Sequence, residues 1–146
     1  MHRAIGTIGL LAAILVPTWA VGAEPLVVMR DGKLQPGFDL GIDTSERQRH
    51  WLDAPGGYLR MTYPPGQAWG ALFVTVGTPV DPPRPSRDLS AFGTLVVELR
   101  GGAGGETVDV GIKDSTDPDN GAEATTRVSL TTDWQRLRKL FAWSVP

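Results

Sequence analysis

"TLVVELRGGAGGETVDVGIK" runs from Thr94 to Lys113. Its opening alternates, with Leu95, Val97 and Leu99 on one side of an extended chain and Val96, Glu98 and Arg100 on the other. Its close does the same, with Val108, Val110 and Ile112 against Asp109, Gly111 and Lys113. A period of two in β-branched residues, bounded by turn residues, predicts two strands that each turn one face to a core. Between them Gly101, Gly102, Gly104 and Gly105 fall within five residues. A phosphate-cradling glycine loop leads from a strand into a helix whose first amides face the anion. Here a strand follows and no Gly-Lys-Ser/Thr appears, so the loop is expected to be a hairpin turn. Glu98, Arg100, Asp109 and Lys113 then share an outward face on two paired strands. Opposite charges there steady a sheet without any ligand, or together form the polar floor of a cleft. Gly111 on the same face leaves room for a close approach.

The same rule extends outward. "ALFVTV" (71–76) places Leu72, Val74 and Val76 inward, and "YLRMTY" (58–63) does so with Leu59 and Met61. "LVVM" (26–29), "TRVSL" (126–130) and "WQRLRKL" (134–140) are further strand candidates, and no segment carries a helical period. Proline and glycine clusters separate them, and the long "PVDPPRPSRDLSAFG" (79–93) is expected to cross between two sheets. Short strands without βα alternation predict an all-β protein, an antiparallel β-sandwich or jelly roll.

The first residues read differently. "MHRAIGTIGLLAAILVPTWAVGAEP" has a basic head, an apolar run and small residues at Val21-Gly22-Ala23. That pattern predicts a cleaved export signal over 1–23, with a cut after Ala20 or a retained anchor as alternatives. Residues 24–146 then form a single domain, exported to a periplasm or secreted, without a membrane span after cleavage. The 146 residues include no cysteine, so an ordinary core, alone or with an ion, must hold the fold. A net charge of −2 without a basic run argues against nucleic acid as partner. His50 is the only histidine left after cleavage, which excludes histidine-rich metal sites.

"DLSAFGTLVVELRGGAGGETVDVGIKDS" followed by "VSLTTDWQRL" resembles the exported carbohydrate-binding modules of β-jelly-roll, galactose-binding-like type, such as the family-11-like modules of secreted glycoside hydrolases. The matching positions are Asp88-Leu89-Ser90, Gly104-Gly105-Glu106, Lys113-Asp114 and Trp134-Gln135, and "YPPGQAWGALFVTVG" (63–77) is similar to an earlier strand of that fold. The resemblance spans roughly residues 26 to 140 and marks fold better than ligand. It implies a galactose-binding-like sandwich and a polysaccharide or oligosaccharide partner. Such modules usually continue with another strand or two and a late aspartate, whereas this chain stops at "FAWSVP", so an incomplete C-terminal end with an open sheet edge is expected, a naturally short domain being the alternative.

Sugar binding needs flat aromatic faces and fixed hydrogen-bonding groups. Trp69 shares the outward phase of Phe73 and could form a platform, and Tyr58 with Arg60 would add a ring and a forked donor. With Glu98, Asp109 and Lys113 these make the expected ligand-binding set. Trp134 is expected in the core. Asp114, Asp117 and Asp119 form an oxygen-rich cluster near Asn120, and Asp31 is a further weak calcium candidate, although the spacing is not that of a calcium loop and plain turns use the same residues. The leading expectation is a non-catalytic glycan binder. The alternatives are a structural or protein-interaction domain, a fragment of a larger protein, and a small glycoside hydrolase using Glu98 and Asp109.

Overall fold

The computed structural model describes residues 7–18, 24–44, 52–63, 70–78, 85–113 and 123–140. Among these the regular structure is all strand and all the pairing is antiparallel. The strands are β1 (Thr7–Pro17), β2 (Leu26–Arg30), β3 (Lys33–Leu34), β4 (Phe38–Thr44), β5 (Leu52–Asp53) and β6 (Leu59–Thr62). They continue with β7 (Gly70–Val76), β8 (Phe92–Gly101), β9 (Thr107–Lys113), β10 (Glu123–Ser129) and β11 (Gln135–Leu140). A curled seven-stranded sheet runs β11-β8-β1-β2-β3, with β6 also on β1 and β5 on β6. Among the described residues two separate ribbons, β4–β7 and β9–β10, accompany it.

The apolar run that reads as an export leader is β1, in the middle of the large sheet. One edge of β1 pairs with β8, from Ile8 opposite Gly101 to Pro17 opposite Phe92. Its other edge pairs with β6 through Thr7–Leu10 and with β2 through Ala13–Leu15. Leu10, Ala13 and Leu15 are all buried in the core, although an uninterrupted strand would turn Leu10 and Ala13 to opposite faces. The register with β8 slips between Leu10 and Ala12, and this bulge restores the phase.

The core is built from these residues with Val28, Met29, Leu59, Leu95, Val97, Leu99 and Leu130. The inward alternation expected for β8 is therefore present, and Leu59 of β6 is in the core as expected. Leu72 and Val74 of β7 and Val108, Val110, Ile112 and Val128 of the β9–β10 ribbon pack against this cluster. Both ribbons thus give their apolar faces to the core of the large sheet. The connection from β7 to β8 does pass from one sheet to another, and its end closes on a turn in which Asp88 Oδ1 accepts the Ser90 amide at 2.8 Å.

The glycine loop differs from expectation. β8 and β9 belong to different sheets and do not pair, so Gly101–Glu106 is a crossing between sheets and not a hairpin. The reason lies in its hydrogen bonds. Gly101 and Gly105 amides donate to the Thr131 and Leu130 carbonyls, and Gly102 donates to the Thr7 carbonyl. The Glu106 carboxylate folds back and accepts the amides of Gly102 and Ala103 at 2.9 and 2.8 Å. The loop does bind an anion, and the anion is its own side chain. Burial pushes the Glu106 carboxyl up, but the Ala103, Gly102 and Gly104 amides outweigh it and hold the group below its usual range.

Candidate functional site

Gly9 of β1 lies opposite Arg60 on β6 and Arg100 on β8. A Cβ at Gly9 would sit 3.1 Å from Cη2 of Trp134, 3.2 Å from Cδ2 of Tyr58 and 3.4 Å from Cγ of Arg100. The missing side chain is what lets these three groups converge on the face opposite the core. Tyr58 and Trp134 meet edge to face, with ring centroids 5.5 Å apart and planes at 76°. The Arg100 guanidinium sits in the angle between them, its Cζ 4.9 Å from the Tyr58 centroid and 4.8 Å from that of Trp134. Contacts of this kind contribute about 0.5–2 kcal/mol each, more as they lose water.

Tyr58 owes its place to the turn beside it. Asp31 and Gly32 join β2 to β3 with φ of 50° and 69°, the conformation a two-residue hairpin needs. Gly32 donates its amide to the Leu11 carbonyl at 3.0 Å and packs so closely on the Tyr58 backbone that a Cβ there has no room. Asp31, a calcium candidate by sequence, is thus a turn residue. Among the described residues no group of three or more acidic or histidine side chains is placed to hold a metal ion. The other candidates, Asp114, Asp117 and Asp119, lie outside the described residues.

A cleft of about 250 Å³ opens beside the cluster, lined by Tyr58, Arg60, Arg100, Gly101, Gly102 and Thr132, with Thr7 and Gly9 beneath. The two arginines differ. Arg60 forks onto Asp53, its register partner on β5, with Nε 2.8 Å from Oδ1 and Nη2 on Oδ2. The hydrogen bond from Arg60 holds the Asp53 carboxyl below its usual range. Arg100 has rings against it but, among the described residues, no hydrogen-bond acceptor and no carboxylate partner.

Of the residues expected from sequence, Tyr58 and Arg60 meet in this cleft with Arg100, and the others lie elsewhere. Glu98 stands opposite Arg136 of β11, 3.9 Å from its Nε. Asp109 stands opposite Arg127 of β10 in a two-pronged pair, whose hydrogen bonds lower its pKa. Because β8 and β9 do not pair, Glu98 and Asp109 belong to different sheets. Phe73 does face outward, 41% exposed, with its ring across Gly41 of β4. Trp69 and the side chain of Lys113 lie outside the described residues.

Trp134 overturns an expectation. It is 38% exposed and stacked on the site, not buried in the core. Leu137 faces inward on β11, and a residue three positions before it takes the opposite phase. That odd spacing was the available signal. Thr7 and Gly9 were missed because a leader reading removes them from the fold. No family model, curated protein or solved structure matches this chain.

Proposed function

We propose that the chain is a non-catalytic carbohydrate-binding domain of antiparallel sandwich type, related to jelly-roll, galactose-binding-like modules, that holds a polysaccharide or oligosaccharide on its aromatic and polar face. The observation that carries this reading is the Tyr58–Arg100–Trp134 cluster beside an open cleft. An exposed aromatic surface offers the C–H face of a sugar a partner, and a guanidinium from which no described residue accepts can fix its oxygens. The cleft is below the roughly 300–1,000 Å³ of sites that enclose a whole drug-sized ligand, so it suits one unit of a chain that runs on across the surface. Its described lining holds two arginines and no acid. A hydrolase with paired carboxylates needs two acids about 5–9.5 Å apart flanking one bond, and Glu98 and Asp109 do not line this cleft. This favours binding over hydrolysis.

Affinity electrophoresis of the full chain tests the reading, in gels carrying β-glucan, xylan, galactomannan or polygalacturonate. Retardation that weakens at least about tenfold in Tyr58→Ala and Trp134→Ala is expected, since stacking on one ring contributes on the order of 1 kcal/mol or more beyond its area. Migration unchanged by every polymer, from protein shown to be folded, would sink it.

A further inference from the structure

We infer that the cleft selects an acidic sugar, a uronate unit whose carboxylate docks on Arg100; this rests on the glycan reading above. The two arginines of the cleft are chemically unequal. Asp53 occupies the fork of Arg60 across the β5–β6 register. No described residue accepts a hydrogen bond from Arg100 or pairs with it as a carboxylate. Nor do the neighbouring amides compete for the ligand. Gly101 and Gly102 are already donating to Thr131, Thr7 and Glu106.

The surroundings of Arg100 also set the direction of approach. Tyr58 and Trp134 contact the guanidinium through their ring faces and fix it in the angle between them. Rings hold a guanidinium in place without consuming its N–H groups, which leaves donors in the geometry a carboxylate accepts in pairs. Arg100 is half-buried, so water screens that contact less than at an open surface. A neutral sugar offers only hydroxyls to the same donors. A uronate therefore supplies charge and bidentate shape for Arg100 and an apolar ring face for Tyr58 and Trp134.

The test is calorimetric titration of the full chain with oligogalacturonate and with the same oligomer after carboxyl reduction, at two salt concentrations. The acidic oligomer is expected to bind about 10- to 100-fold more tightly, the range of a charge-assisted hydrogen-bond pair. Arg100→Gln should abolish that preference, Arg100→Lys should restore only part of it, and Arg136→Gln, outside the cleft, should leave it unchanged. Equal binding of both oligomers, with Arg100→Gln neutral, would overturn the acidic-sugar inference and leave the glycan reading standing. Binding of neither oligomer, nor of any neutral polymer, would remove the glycan reading and this inference with it. Displacement of the oligomer by inorganic phosphate as effectively as by monomeric galacturonate would mean a bare anion site, and would overturn the sugar. Melting curves of each variant separate lost binding from lost fold.

Discussion

A methyl group added at Gly9 would press on Trp134, Tyr58 and Arg100 at once, at 3.1 to 3.4 Å. Gly9→Val is therefore expected to cost about 1–3 kcal/mol, as overpacking does, and to push the two rings apart. Tryptophan fluorescence and a thermal melt would read both effects; an unchanged melt and spectrum would refute the contact. Gly32 is the more demanding position. Its φ of 69° and its contact with the Tyr58 backbone both exclude a side chain, so Gly32→Ala should destabilise by about 1–3 kcal/mol or more. Removing the Asp31 side chain instead, as Asp31→Gly, should be nearly neutral, because the turn needs only its positive φ. If Asp31→Gly were the more damaging of the two, the side chain would have a role the turn does not explain.

At the scale of elements, the loop from β8 to β9 depends on Glu106. Glu106→Ala leaves the Ala103 amide without its acceptor and the Gly102 amide with the Thr7 carbonyl alone, and should destabilise by about 1.5–3 kcal/mol, as for hydrogen bonds to a charged group. Its pH dependence follows from a folded pKa below the unfolded one. The contribution is complete above the unfolded value near 4.3, and it fades as pH falls through the lower folded value. Chemical denaturation between pH 7 and pH 2 should show Glu106→Ala and the parent converging at the acid end, and a constant gap would contradict the assignment. The strands themselves were legible. Leu95, Val97 and Leu99, and Leu59 of β6, announce their inward faces by period alone. Their pairing was not, since four glycines permit a hairpin and a crossing equally well. What selects the crossing is the contact with Thr7, Leu130 and Thr131, residues remote in sequence.

For the whole molecule, the decisive element is β1. Leu15 is 3% exposed and Leu10 is 8% exposed, so Leu15→Ala should cost about 2–5 kcal/mol. A chain beginning at residue 24 loses the strand that joins β8 to β2 and β6, and with it the floor of the cleft. Circular dichroism should show loss of cooperative melting for that chain, and retention of the parent melting temperature would show that β1 adds nothing. The leader reading could not foresee this, because a short apolar run serves equally as an export signal and as a strand buried on both faces. Only the bulge at Leu11, invisible in the residue pattern, lets Leu10, Ala13 and Leu15 face one core.

The pairing of Ile8 with Gly101 sets a clock. β1 leaves the ribosome first, yet its longest partner is complete only after Gly101 has been made. At roughly 5–20 residues per second, that delay is on the order of ten seconds. During it only β2 and β6 are at hand to pair with β1, and the edge that β8 will cover is open to whatever recognises such a run. Once β8 arrives, the sheet closes over the same residues and hides them. Closure of the large sheet must therefore wait on β8, and the length of chain between β1 and β8 sets how long that edge stays uncovered.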